Sequence, residues 1–174
     1  MTKSSRKDAA KIFQALHNYD HLMGPPDEAA QKVAFSELFA YAHDPNHTSS
    51  PVLQAALLND LKLRRGLKRL LEKQSIVHMA RAAAASTGDI DIREADGFKI
   101  SLKPSKADAS QIYLLIEAID RDETPSLLFI NQEDGPILRL VIDDFYDGEA
   151  QILLSSDDDI VKALRNVKSE VILS

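Results

Sequence analysis

Ser86-Thr-Gly-Asp-Ile-Asp-Ile-Arg-Glu-Ala-Asp-Gly-Phe-Lys-Ile-Ser-Leu102 is where the apolar rhythm of this chain changes. Upstream of Gly88, apolar residues recur every third or fourth position, the period of an amphipathic helix. From Ile90 they recur every second position: Ile90 and Ile92, then Phe98, Ile100 and Leu102. That is the period of a half-buried strand. Glu94-Ala-Asp-Gly97 between the two runs is a hairpin turn signal.

Working back from this switch, four or so helices are expected. The first spans residues 5–22, with Ala9, Ile12, Phe13 and Leu16 as a narrow stripe, and Gly24-Pro25-Pro26 stops it. Asp27 then caps a helix through Ala42, whose stripe of Ala30, Val33, Ala34, Leu38, Tyr41 and Ala42 is widened by Phe35 and Phe39. Residues 43–50 read as a loop broken by Pro45. Ser50-Pro51 is a start signal, a cap followed by proline at the first helical position, for a helix reaching Asn59. Asp60 either caps a further helix or lies within a continuous one. Leu61, Leu67, Leu70, Leu71, Ile76, Val77 and Ala80 carry the helical face to residue 85, and Gly66 within it costs about 1 kcal/mol against alanine.

Working forward, strands are expected at 112–119 and 127–130, the most apolar and therefore central, and at 137–142, 150–154 and 171–173. Gln132-Glu-Asp-Gly135 forms a second hairpin turn. Asp157-Asp158-Asp159 caps a short helix over 160–165. The resulting expectation is an α+β chain. A helical domain over 1–87 precedes a mostly antiparallel β domain over 88–174, a sandwich or open barrel of about seven strands with one short helix.

Charge follows the same division. Residues 1–87 hold 12 Lys/Arg against 8 Asp/Glu, and residues 88–174 hold 9 against 19, for a net charge of −6. Such asymmetry suits a charged partner, or halves that attract each other. Apolar residues make up 44% of the chain, enough for a core. No cysteine is present, which excludes disulfides, thiolate catalysis and Cys-ligated zinc, and fits a reducing, cytoplasmic compartment. The charged N-terminus has no apolar run behind it, so no signal peptide is expected, and no apolar run approaches a membrane span.

The chemistry-bearing patterns are few. His17 and His21, four apart on one helix face, are weak candidates for a metal, and His43 and His47 share the spacing within a loop. Asp143, Asp144 and Asp147, with Asp157, Asp158 and Asp159, offer oxygen ligands, but without the alternation of a calcium loop. Capping explains the second group sufficiently. No Gly-x-Ser-x-Gly elbow and no glycine-rich phosphate loop occur, and no cofactor is expected. Residues 62–73 carry six Lys/Arg against one glutamate, with leucines on one face and Arg64, Arg65, Lys68, Arg69 and Lys73 around them. That face suits phosphates or an acidic partner. The acidity of the whole chain and its few aromatics argue against nucleic acid.

Glu-Leu-Phe-Ala-Tyr-Ala-His43, a polar gap, and Leu53-Gln-Ala-Ala-Leu-Leu-Asn-Asp-Leu-Lys-Leu-Arg-Arg-Gly-Leu-Lys-Arg-Leu-Leu71 together resemble the helical core of anti-sigma-factor regulators. The likeness covers about a fifth of the chain. Many members of that group carry a His-x3-Cys-x2-Cys zinc motif at this junction. Here Ala56, Asp60 and Leu63 stand near those positions, so the resemblance is to the members without zinc. It implies a cytoplasmic regulator whose helices grip a sigma factor. The expected function is therefore non-enzymatic protein binding through Phe35, Phe39, Tyr41, Arg64, Arg65, Lys68 and Arg69. One alternative is an assembly subunit that oligomerises through its helices. Another is a small-ligand or metal-dependent enzyme.

Overall fold

The computed structural model describes residues 33–81, 90–133 and 135–174. The chain divides into two compact units, Met1–Lys73 and Gln74–Ser174. The expected helix over 5–22, the cap at Asp27, and His17 and His21 lie outside the described residues.

In the first unit, helix α1 (Phe35–His43) buries Leu38, Tyr41 and Ala42. Asp44 ends it, its N–H donating to the Ala40 carbonyl at 2.8 Å. Helix α2 (Pro51–Asn59) begins as its local sequence dictates. Ser50 Oγ accepts from the Leu53 N–H at 3.0 Å, and Pro51 occupies a position whose N–H would have no helical partner. Asp60 ends α2 and starts α3 (Leu61–Gln74) at once, its Oδ1 accepting from the N–H groups of Lys62 and Leu63 at 2.8 and 3.2 Å. Helix α3 buries Leu63, Gly66, Leu67, Leu70 and Leu71. Glycine thus sits on the buried side, where the absence of a side chain permits close packing.

The helix does not continue to residue 85. It ends at Gln74, and Val77–Met79 form a strand, β1, paired antiparallel with the C-terminal strand, Val77 opposite Leu173 and Met79 opposite Val171. The next strands are β2 (Ile92–Ala95), β3 (Phe98–Pro104), β4 (Gln111–Ala118), β5 (Leu127–Asn131), β6 (Ile137–Val141) and β7 (Glu149–Ser155). Helix α4 (Asp159–Arg165) and β8 (Glu170–Leu173) complete the chain. Two four-stranded antiparallel sheets result, with orders β1-β8-β5-β6 and β2-β3-β4-β7.

The expected fold class is thereby corrected. Among the described residues there are eight strands, not seven, and helices are not confined to the N-terminal part. One sheet is built from both sides of Gly88, because β8 selects β1 as its neighbour. Ile76 to Met79 sit beside strong helix formers, yet their partner lies more than ninety residues away in sequence. Pairing with a buried strand overrides local propensity. The two sheets meet where β1 runs alongside β2.

The run Leu127-Leu128-Phe129-Ile130 is fully buried on both faces of its sheet, which is why it shows no alternation. The other sheet alternates. Phe98, Ile100, Leu102, Ile112, Leu114 and Ile116 enter a core shared with Val77, Met79, Leu128, Ile130, Val171 and Leu173 of the first sheet. Two hairpin corners use Asp-Gly pairs at positive φ, Asp96-Gly97 (48° and 79°) and Asp147-Gly148 (51° and 79°), the geometry that lets a two-residue turn match strand twist. At Gly97 a Cβ would also come within 2.8 Å of Arg121 Cγ.

Helix α4 contributes Ile160, Val161, Ala163 and Leu164 to the same core. Seven residues are too few for a helix to persist alone. Its start is capped by Asp158 Oδ1, which accepts from the Ile160 N–H at 2.8 Å. Its end is held by Arg93, buried on the core face of β2. Arg93 Nε donates to the Leu164 carbonyl at 2.9 Å, and its two terminal nitrogens donate to those of Asn166 (2.5 Å) and Ser169 (3.0 Å). The Ile90 N–H takes the Arg165 carbonyl at 2.9 Å, and Arg165 Nε pairs with Asp91 at 2.9 Å. Burial pulls the Arg93 pKa down, but a guanidinium remains charged.

Replacing Arg93 with leucine would strand the carbonyls of Leu164 and Ser169, whereas that of Asn166 keeps the Ser169 N–H at 3.0 Å. The expected cost is about 2–4 kcal/mol, each unsatisfied buried carbonyl being worth roughly 1–3 kcal/mol and water recovering part of it. Arg93→Lys should lose less, since an ammonium reaches fewer acceptors. Urea unfolding followed by circular dichroism measures both, and an unchanged midpoint for the leucine variant would remove Arg93 from this role.

Candidate functional site

The expected partner-binding residues fall into different environments. Tyr41 points inward with Leu38 and Ala42 and is not available to a partner. Phe35 and Phe39 are half-buried. At helical spacing they form a ladder with His43: the Phe35 and Phe39 ring centroids are 6.0 Å apart, and the His43 ring stacks on Phe39 at 4.3 Å, 14° from parallel. His43 Nδ1 lies 2.9 Å from the Phe39 carbonyl and donates to it, so this histidine is committed to its own helix. On α3, Arg64 and Lys68 are half-buried and Arg65 and Arg69 are exposed. Lys68 pairs with Glu72 one turn on, at 3.6 Å. Surface pairs of this kind contribute about 0.3–0.5 kcal/mol.

Apolar residues that face solvent complete this surface. Val52 and Leu58 on α2 are 49% and 57% exposed, and Leu61 at the head of α3 is 59% exposed. Val52, Ala55 and Leu58 follow one another at three-residue spacing, and all are exposed. Leu61, Arg65 and Arg69 follow at four-residue spacing on the solvent side of α3. Leu58 escapes a reading of the sequence because the run Val52-Leu53-Gln54-Ala55-Ala56-Leu57-Leu58 is apolar nearly all round. Only the burial of Leu53 and Leu57 shows which side is left over.

In the second unit, polar side chains converge on Glu170 at the start of β8. Its Oε2 accepts from Asn131 Nδ2 at 3.0 Å and lies 4.0 Å from His78 Nε2, and its Oε1 is 3.5 Å from Arg81 Nε. Arg81 also reaches Glu133 at 3.1 Å. Asn131 of β5 thus donates to one carboxylate oxygen, and Arg81 after β1 pairs with the other. The cluster ties strand ends together.

The acid clusters serve local structure. Asp158 caps α4, and Asp157 accepts a short hydrogen bond from Ser155 Oγ. Asp147 occupies a turn. Among the described residues, none of these aspartates and neither His43 nor His47 belongs to a group of three converging metal-ligand side chains. The Ser155 hydroxyl holds the Asp157 carboxyl below its usual range, and Ser110 does the same for Asp108, with Ser110 Oγ at 2.7 Å. A depressed folded pKa adds stability that is fully present above the unfolded value and is lost as pH falls through the folded one. Titration followed by NMR should therefore place both aspartates below about 3.9, the value for a free aspartate. Ser155→Ala should return Asp157 towards that value and leave Asp108 unmoved. An unshifted Asp157 in the wild-type chain would contradict the hydrogen bond.

No helix among the described residues is long and apolar enough to cross a membrane. Comparison of the chain with protein-family models, with curated proteins and with solved structures found no match.

Proposed function

We propose that this chain is a non-enzymatic regulatory protein whose helical unit binds a protein partner through the solvent side of α2 and α3. The observation that carries this reading is the exposure of Leu58 and Leu61, with Arg65 and Arg69 continuing the same side of α3. Exposed leucines gain by burial, roughly 1.5–3 kcal/mol each when fully covered. Arginine beside them favours a partner with acidic residues around an apolar stripe, the mode of a helix laid along a groove. The likeness of residues 37–73 to anti-sigma helices makes a sigma factor's helical domain the first partner to try. The cytoplasm suits such a regulator, as does a chain without cysteine.

Self-association through the same side would set basic α3 faces against each other, and like charges in contact are unfavourable. A monomer in light scattering is therefore expected.

Affinity capture from the native cell, quantified by mass spectrometry, tests the proposal with Leu58→Asp and with Arg65→Glu/Arg69→Glu. Both variants should keep wild-type circular dichroism, because the changed side chains face solvent. Both should lose the same partner at least tenfold, about 1.4 kcal/mol, a modest toll for an interface anchor. Capture unchanged in both variants would defeat the proposal, and a dimer disrupted by Leu58→Asp would replace it with the assembly reading.

A further inference from the structure

We infer that the free edge of β7 is a docking site for an extended, basic segment of another polypeptide, added as a further strand. Four observations in the second unit, independent of the helical surface, lead there.

First, β7 is an edge with unused backbone groups. Its register with β4 and the Ala118 N–H to Gly148 carbonyl bond (2.7 Å) direct the even-numbered residues 150, 152 and 154 towards β4. The odd-numbered residues then point their N–H and C=O groups the other way. Glu149 exchanges both of its groups with Tyr146, and the Ser155 carbonyl accepts from Asp158. The outward N–H and C=O groups of Gln151 and Leu153 have no partner among the described residues. Such a row is a template for another strand.

Second, the other strands at sheet ends are less available. The edge residues of β6 are Ile137, which is buried, and Arg139 and Val141, which are half-buried. Strand β1 has three residues and lies beside β2, and β2 has four. In β7 the four residues Glu149, Gln151, Leu153 and Ser155 are all exposed.

Third, apolar anchors stand at both ends of the open stretch. Leu153 is 48% exposed and Tyr146 is 85% exposed. Tyr146 pairs with Glu149 and so shares a sheet face with Leu153. An added strand with alternating apolar residues would cover both.

Fourth, charge selects the occupant. Asp147 and Glu149 stand at one end of the edge and Asp157 and Asp159 at the other, all exposed, with Lys162 offsetting Asp159 at 3.5 Å. A second copy of this chain would pair its β7 antiparallel, setting Asp147 and Glu149 of one copy against Asp157 and Asp159 of the other. That arrangement opposes like charges. A segment with Lys or Arg at both ends meets opposite charge in either direction.

The test uses the full chain, isotope-labelled, and a short peptide of alternating valine and threonine with two lysines at each end. Backbone resonances of Gln151 and Leu153 should shift on titration, and their N–H groups should gain protection from exchange. The same peptide with glutamates in place of the lysines, or with N-methylated valines, should bind at least tenfold more weakly. Gln151→Pro removes one outward donor at an edge that tolerates proline. Leu153→Lys keeps the backbone, removes an apolar anchor and sets a positive charge in the middle of the edge. Each should weaken the lysine peptide at least tenfold. Equal binding of the lysine and glutamate peptides, or shifts that avoid β7, would overturn the inference. So would a dimer in light scattering that Leu153→Lys abolishes, which would identify a second copy as the occupant.

Discussion

The β unit depends on one buried cation. Arg93 on the core face of β2 collects the carbonyls of Leu164 in the last turn of α4, of Asn166 at its C-cap and of Ser169 in the segment beyond it. A guanidinium suits this place because its donors form a rigid planar fork, and because the negative end of a helix favours a positive charge. Among the described residues no carboxylate pairs with it. The carbonyl dipoles alone offset its burial. Through this contact α4, the link from β7 to β8, is fixed against β2, the far edge of the sheet that contains β7.

The open positions follow from that closure. With β1 beside β2, the two sheets meet on one side, and their far ends are β6 and β7. Among the described residues β7 is the longest of the sheet ends, and its outward residues are all exposed. Its surroundings are acidic, whereas the solvent side of α3 is basic. The charge asymmetry visible in the sequence thus resolves into two separate surfaces of opposite sign, one on each unit, each next to exposed apolar side chains.

Local chemistry occupies several of the acidic groups that the sequence offers. Asp158 is spent on a cap, Asp157 on Ser155, Asp108 on Ser110, and Glu170 on Asn131 and Arg81. Each of these side chains is held in place by its partner.

Wherever the cause lay within a few residues, the sequence by itself determined the outcome. Ser50-Pro51 starts a helix because a hydroxyl and a missing N–H act on the adjacent turn, and Asp158 does the same for α4. Asp96-Gly97 turns because those residues tolerate positive φ, and Phe98, Ile100 and Leu102 alternate because one face is buried. Tertiary structure alone decided what hung on distant neighbours. Val77 to Met79 became a strand because β8 pairs with them, although helix formers follow. Tyr41 turned inward while Leu58 turned outward, since nearly every side of those helices is apolar and only packing chooses among them. The alternation puts Ile90 and Ile92 forward as apolar, yet Arg93 is buried and Ile92 is 58% exposed, because the end of α4 supplies the carbonyls that Arg93 meets. Short-range hydrogen bonds and steric limits are written in neighbouring residues, whereas pairing and burial depend on atoms that the folded chain alone brings together.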